Sequence, residues 1–293
     1  MNFIILDLEW NTAFSKEMDT YVNEIIEFGA VKLNEDLEVL GLYSEFVKPV
    51  LETRLSPRVK KLTHITNDDI NRAQKYARIS EDFAEFIGDP DEAIIMSWGD
   101  MDIRALISNN QLIFGKPEIP YIKYYLDLQW FFMHVHDFPK GKQIGLSDAA
   151  THIGLDPDDF VHHRALADSL LTVECFKSVY PHKDLPASVV DVDADFYEQI
   201  VFKPYVITDI NDPLVDRSAM SCQCIDCHKP AKLDSNWYYS GASFHAKFKC
   251  ADCGSAYRIN LQFKKHYNQV SMKKTVIKLK DKKTARNLNF KNI

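Results

Sequence analysis

FIILDLEW, residues 3–10, is apolar almost throughout and yet carries two acids, Asp7 and Glu9. Residues Asn2 to Trp10 read as a β-strand. Side chains alternate across a strand, so Asp7 and Glu9 share one face while Leu6 and Leu8 occupy the other. A half-buried strand with an exposed polar face is the plain alternative. It fits poorly here, because acids in an otherwise buried strand need a partner that neutralises them. Two carboxylates at this separation can share one metal and reach for a second.

The text on either side extends the fold. IIEFGAVKLN (Ile25 to Asn34) and LGLYSEFVKP (Leu40 to Pro49) read as two further strands, with Asn34, Glu35 and Asp36 as the turn. The three strands form an antiparallel meander. SPRVKKLT (56–63) and Ser80–Ile87 read as helices, the second with Ser80 as its N-cap. EAIIMSW (92–98) is a short buried strand, and DIRALISNNQ (102–111) is the helix after it. YIKYYLDL (121–128) starts as a strand, and Asp127 is placed to cap LQWFFMHV (128–135). SDAATHIG (147–154) is a short helix capped by Ser147, and Ala165–Val179 is the last strong helix. A meander followed by alternating helices and strands predicts an α/β domain with a mixed sheet.

Two more stretches set acid at the edge of an apolar element. In SWGDMDIRAL (97–106), Asp102 follows a strand and Gly99; simple N-capping is the bland reading, and Asp100 competes for the role. In HHRALADSLL (162–171), His163 and Asp168 are five residues apart. On one helix they would point roughly 140° apart, so His163 is expected at or before the first turn, with His162 as its competitor. A fold seldom gathers Asp7, Glu9, Asp102 and Asp168 in one place without a cation. If these stretches meet, the expected occupants are hard divalent metals and the expected chemistry is phosphoryl hydrolysis.

The order Asp-x-Glu, Gly-x-x-Asp, His-x-x-x-x-Asp resembles the three motifs of the DnaQ-like, DEDDh 3′–5′ exonucleases. NEIIEFGAVKLN, YSEFVKPV, LSPRVKKLTHITNDDI and GLSDAATHIGL are similar to the same superfamily, most of all to its Eri-type and KapD-like branch. The resemblance runs over about residues 1–182. It implies an RNase H-like mixed sheet flanked by helices and a mechanism with two Mg²⁺ or Mn²⁺ ions. Asp7 would bridge both ions, Glu9 and Asp168 would complete the first, and Asp102 would help hold the second. His163 would take the proton of the attacking water, as an imidazole can near neutral pH. The implied substrate is a nucleic acid, RNA in this branch, single-stranded at its 3′ end. The resemblance also sets Leu62, Thr63, His64 and Ile65 beside the terminal nucleotide, with His64 where Gly is frequent. Leu8, Trp10 and Trp98 neighbour the motifs and are further candidate substrate contacts. Either tryptophan can stack on a base, with core packing the alternative for at least one.

Five of the six cysteines fall between Cys222 and Cys253, while Cys175 sits alone in a helical stretch. Cys224-x₂-Cys227 and Cys250-x₂-Cys253 are 22 residues apart, the pattern of a tetrahedral structural zinc site. Local disulfides at this spacing would be strained. Cys222 is the spare thiol and a competitor for Cys224. A unit this small would owe its stability to one Zn²⁺. Its surface is expected to be aromatic and basic, formed by Trp237, Tyr238, Tyr239, Phe244, Lys247, Phe248 and Lys249. That mix suits single-stranded nucleic acid and suits a protein partner nearly as well.

The chain has 293 residues and a net charge of −7. From Leu261 onward the net is +9, and the remainder carries −16. An acidic body with a basic end fits a protein that handles polyanions; a merely solvated segment is the alternative. No apolar run approaches a membrane span, and the start does not read as a signal peptide, so a cytoplasmic, intracellular place with no membrane partner is expected. The expected organisation is a nuclease domain over 1–182, a connection over 183–220, a zinc ribbon over 221–262 and a basic tail over 263–293. The rival readings are a proofreading-type DNA exonuclease and a nucleic-acid-binding adaptor that uses the ribbon.

Overall fold

The computed structural model describes residues 1–139, 141–157 and 163–279. The chain divides into two compact units, Met1–Val201 and a second beginning at Phe202.

The first unit opens with β1 (Asn2–Ser15), β2 (Thr20–Leu33) and β3 (Val39–Lys48), then α1 (Pro57–Thr63), α2 (Asn67–Arg72), β4 (Gln74–Lys75) and α3 (Tyr76–Ile87). It continues with β5 (Ala93–Ser97), α4 (Met101–Phe114), β6 (Tyr124–Asp127), α5 (Leu128–Val135), α6 (Leu146–His152) and α7 (Ala165–Val179). It closes with α8 (Leu185–Ser188), β7 (Val190–Asp191) and α9 (Ala194–Val201). The sheet order is β4-β3-β2-β1-β5-β6-β7. The meander β1-β2-β3 is antiparallel, and β5 and β6 add to it in parallel. This is the mixed α/β sheet that the alternation of elements predicts.

Strand alternation sorts β1 into two cores. Ile4, Leu6 and Leu8 join Phe28, Ile79, Phe83, Ile103 and Leu106, which come from the sheet, α3 and α4. Phe3 and Ile5 pack instead with Phe131, Phe132, Val173 and Phe176 of α5 and α7. Asp7 and Glu9 continue the Phe3–Ile5 side, so the acids lie on the α7 side of the sheet.

Several boundaries differ from expectation. β1 runs past Trp10 to Ser15, because Ala13 and Phe14 pair with Val22 and Tyr21 in a long hairpin. The helix expected from Ser80 starts a turn earlier, since Tyr76, Ile79, Phe83 and Ile87 are all buried at helical spacing. Ser80 is inside that helix, with its hydroxyl 3.0 Å from that of Tyr121. The cap of α6 is Gly145, not Ser147, because Leu146 already packs on the core. Asp127 does cap α5, accepting from the Trp130 amide. The first unit continues beyond residue 182, with Phe196, Tyr197 and Ile200 of α9 packed on its core. Among the described residues no helix is long and apolar enough to cross a membrane.

The second unit contains β8 (Tyr205–Val206), β9 (Cys222–Gln223), β10 (Pro230–Leu233), β11 (Tyr238–Ser240), β12 (Ser243–Cys250), β13 (Ala256–Lys265) and β14 (Val270–Lys278). Its sheet order is β14-β13-β12-β10-β9, with β11 on β12 and β8 on β13. Phe244, Phe248, Tyr257, Ile259, Leu261 and Phe263 form its core, so Phe244 and Phe248 are not the surface aromatics expected: strand alternation in β12 turns them inward and leaves Lys247 and Lys249 outside. Residues expected at the start of a basic tail therefore lie in strands, up to Lys278. The rest of that segment, 280–293, lies outside the described residues.

Candidate active site

Three local features bring the distant stretches together. The first is in β1. The β1–β2 register slips between Glu9 and Trp10, so that Glu9 faces Glu27 and Trp10 faces Ile25. Such a bulge twists the strand and re-aims the side chains next to it. The second is Gly29, the register partner of Asp7. A Cβ there would lie 2.0 Å from the Ala165 carbonyl carbon, so α7 touches β2 backbone to backbone. The Ser169 hydroxyl donates to the Gly29 carbonyl at 2.9 Å and holds the contact. Glycine in this strand is thus what lets α7 carry Asp168 down to the acids of β1.

The third feature is the turn from β5 into α4. Gly99 adopts a φ of +89°. Its carbonyl accepts from the Ser97 hydroxyl at 2.7 Å and from the Tyr125 hydroxyl at 2.8 Å. The fixed turn starts α4 so that Asp102 faces inward and is 5% exposed. β5 pairs with β1 only as far as Ile5, which leaves the Leu8 amide without a strand partner. The Asp102 Oδ1 accepts from that amide at 2.9 Å. Asp100 does not reach inward: it pairs with Arg104 at 2.8 Å.

The outcome is a cleft of about 410 Å³ lined by Asp7, Glu9, Asp102, His163 and Asp168, together with Leu8, Trp10 and Trp98. One donor atom each from Glu9, His163 and Asp168 lie within 4.8 Å of one another. His163 stands two residues before α7, at a φ of 60°, and its amide donates to Asp168 Oδ2 at 3.0 Å. His162, its competitor in the sequence, lies outside the described residues. Trp98 is tied to the wall by a bond from Nε1 to the Ile144 carbonyl at 3.2 Å and packs on Phe132. Trp10 is partly buried against the α3–α4 core.

Leu62, Thr63, His64 and Ile65 are not among the residues lining this cleft. Thr63 and Ile65 are each 1% exposed. His64 is the C-cap of α1 at a φ of 61°, a left-handed position that glycine adopts without strain.

Three residues of the site escaped the sequence reading. Asp148, in the first turn of α6, adds a further carboxylate to the cleft wall. Glu27 is 1% exposed and takes Arg164 through both carboxylate oxygens, with Arg164 Nη2 at 2.7 Å and Nε at 3.1 and 3.2 Å. Glu27 also accepts from the Ala165 amide at 3.2 Å. The pair anchors the first turn of α7 and the His163 backbone beside it. An acid inside the apolar run IIEFGAV was the available signal.

The electrostatics ask for cations. Burial, then Asp102, Asp168, Glu9 and Glu27, raise the Asp7 carboxyl well above its ordinary range. Burial, then Asp168, Glu27 and Asp102, push Glu9 up to about 8. Burial pushes Asp102 up to about 7 against the lowering effect of the Leu8 amide. Each shift states the cost of collecting like charges away from water. Carboxylate oxygens are the donors that hard divalent ions select, so the set fits Mg²⁺ or Mn²⁺.

The comparison with known proteins decides the family. The exonuclease family model RNase_T matches residues 4–176. The chain belongs to this exonuclease family. The probable 3′–5′ exonuclease KapD of Bacillus subtilis strain 168 is 30% identical over 186 residues, 62% of this chain and 86% of KapD. Human 3′–5′ exoribonuclease 1 is 24% identical over 148 residues, which are 48% of this chain and 42% of that protein. Among solved structures, the nuclease domain of 3′hExo, described as a DEDDh family member bound to rAMP, aligns with a TM-score of 0.55. That alignment has 21% identity and covers 66% of this chain and 96% of that domain, a likeness of fold. The protein is a 3′–5′ exonuclease, a hydrolase acting on nucleic acids.

The second unit lies beyond the residues that the family model matches. Its Cys224, Cys227, Cys250 and Cys253 Sγ atoms lie within 4.8 Å of one another. Cys224 and Cys253 are 3.4 Å apart and Cys227 and Cys250 are 3.5 Å apart, too long for disulfides. Sulfurs around a tetrahedral zinc stand about 3.8 Å from each other, so the set fits that ion. Cys222 is outside the group, buried in the core of the unit.

Proposed function

We propose that the protein removes nucleotides from the 3′ end of single-stranded RNA by a two-metal mechanism with His163 as general base. The observation that carries this reading is the convergence of Asp7, Glu9, Asp102, His163 and Asp168 on one cleft. Two Mg²⁺ or Mn²⁺ ions, held by the four carboxylates, would supply charge neutralisation at the entering and leaving oxygens of an in-line displacement. The chain's own residues do the rest. Asp7 and Glu9 are on one strand face and can serve neighbouring ions. Asp102 holds its carboxylate in place through the Leu8 amide. His163 sits at the cleft on a non-helical backbone, braced by its own amide bond to Asp168 Oδ2, and takes the water proton on a ring nitrogen. Trp10 and Trp98 line the cleft and offer faces for the terminal bases. RNA is favoured by the likeness to the human relative, whose name makes it an exoribonuclease. The four-cysteine group is proposed to hold one structural Zn²⁺, closed to catalysis.

The test is a time course with purified protein and Mn²⁺ or Mg²⁺ on 5′-labelled RNA and DNA strands of one sequence. Shortening from the 3′ end, faster on RNA, is expected. Equal or faster loss of DNA would replace the RNA reading by that of a DNA exonuclease. Tight binding without any shortening would leave an adaptor.

A further inference from the structure

The sheet of the second unit has two unlike faces. The register places Phe248 beside Tyr257, Ala246 beside Ile259, and Phe244 beside Leu261, all buried. The alternate residues of the same strands lie on the opposite face. There Lys232 stands opposite Lys249, and Lys247 stands opposite Arg258. Farther along, Lys273 of β14 stands opposite Gln262. All five cations are exposed. Among the described residues none of them takes part in an ion pair.

This arrangement lowers stability. Like charges placed directly across from each other repel. No Asp or Glu occurs anywhere on β10 to β14 to offset them. Two acids of the unit are engaged elsewhere: Asp226 with Lys278 at 2.6 Å and Asp252 with Lys229 at 2.7 Å. Asp234, one residue past β10, is the acid next to the patch in sequence, and its amide donates to the Lys247 carbonyl at 2.7 Å.

An aromatic step flanks the cations. Tyr238 pairs with His245 across β11 and β12 and is 52% exposed. The two rings lie 5.3 Å apart at 31°. His245 is held by both ring nitrogens, at 2.6 Å from Asn260 Oδ1 and 2.8 Å from the Ser240 carbonyl. Its neighbours in register on the open face are Asn260 and Thr275, which are polar and uncharged.

We infer that this face is a second nucleic-acid contact, which binds the phosphate backbone of a single strand along Lys249, Lys247, Arg258 and Lys273 and stacks a base on Tyr238. The inference rests on nucleic acid being the substrate. Charge complementarity selects a polyanion for the cation rows, and an exposed ring backed by a fixed imidazole selects unpaired bases over a closed duplex. The binding energy would come from the relief of cross-strand repulsion and the release of counterions, so it depends strongly on salt. Its contribution grows with strand length, because a longer strand presents more phosphates to the cation rows than the single bridging phosphate of a dinucleotide.

The experiment uses the full chain. Lys247→Gln/Arg258→Gln and Tyr238→Ala are compared with wild type, with zinc content verifying that the unit is folded. Binding to a labelled poly(U) strand tens of nucleotides long is followed by anisotropy at several salt concentrations in buffer free of Mg²⁺ and Mn²⁺, with no chelator so that the zinc is kept. Hydrolysis of a dinucleotide is measured in parallel with Mn²⁺. The expected result is about tenfold weaker strand binding and a shallower salt slope for the double variant, weaker binding without a slope change for Tyr238→Ala, and unchanged dinucleotide hydrolysis in both. Unchanged strand affinity would overturn the inference, as would equal loss on the strand and the dinucleotide. Equal affinity for a blunt duplex would overturn the single-strand assignment. A wild-type protein that binds the strand but hydrolyses nothing would count against the exonuclease reading alone, because the binding arm does not need catalysis.

Discussion

The Asp102 carboxylate and the Leu8 amide, 94 residues apart in sequence, form one hydrogen bond of 2.9 Å at the floor of the cleft. The bond closes the edge of β1 just where β5 stops pairing with it. It couples one acid of the cleft to the strand that carries two others. Asp102→Asn retains an acceptor and loses the charge, so activity should fall by at least about a hundredfold while stability stays near wild type. Asp102→Ala leaves a buried amide unsatisfied and should also cost about 1–3 kcal/mol. Thermal melts and steady-state rates on the two variants separate the roles.

The Glu27–Arg164 pair makes a second prediction. Neither residue lines the cleft, yet the pair fixes the turn that carries His163. Arg164→Ala should lower kcat about tenfold or more, with the Mn²⁺ dependence of the rate little changed. Arg164→Lys should restore less than half of the loss, since an ammonium cannot reproduce the two-pronged contact. Normal kcat in Arg164→Ala would show the pair to be structural only.

His163→Ala should reduce kcat by about 10²–10⁴. Divalent-ion binding, measured by calorimetry, should persist through the carboxylates. Loss of ion binding in this variant would make His163 a ligand, a role its closeness to Glu9 and Asp168 also permits.

The stability of the metal-free protein should depend on pH in the sense opposite to ordinary salt-bridged acids. Glu9 is raised from 4.5 to about 8 and Asp102 from 3.8 to about 7. In these windows the folded chain holds protons that the unfolded chain has released. The stabilisation is full below the unfolded values and is lost as pH rises through about 7 to 8. Melting in EDTA should therefore drop by several degrees across this range. Added Mn²⁺ should oppose the drop, because a bound cation favours the charged carboxylates. A flat or rising melting temperature in EDTA would contradict the electrostatics of the cleft.

Zinc should be present at about one equivalent per chain without Mg²⁺ in the buffer. Strong chelation should unfold the second unit, seen as loss of amide protection in β12 and β13, while strands of the first unit remain protected. Cys224→Ser should reproduce that pattern and Cys222→Ser should not, since Cys222 lies outside the sulfur group.

Local rules carried much of this architecture. Alternation in FIILDLEW puts Asp7 and Glu9 on one face, and the turn Asn34–Glu35–Asp36 sets up the meander. The α5 cap at Asp127 and the bounds of α7 follow from nearby residues alone. Ser80 and Ser147 misled because a serine caps a helix only where the chain has no reason to start earlier. Here Tyr76 and Leu146 bury first. In β14 the alternation is faint, since Ser271, Met272, Lys273, Lys274 and Thr275 are all exposed, so its charge was more visible than its strand.

The sequence by itself determined which chemical groups exist and at what local spacing: two acids on one strand face, an acid after a glycine turn, a histidine ahead of a helix, and two cysteine knuckles. Those are short-range properties, set by the period of a strand or helix. Only the tertiary structure decided that Gly29 admits α7 to backbone contact, that Asp102 rather than Asp100 faces inward, and that Glu27 grips Arg164 from 137 residues away. These depend on packing and on which buried groups find partners, and neither is a property of any window of the chain.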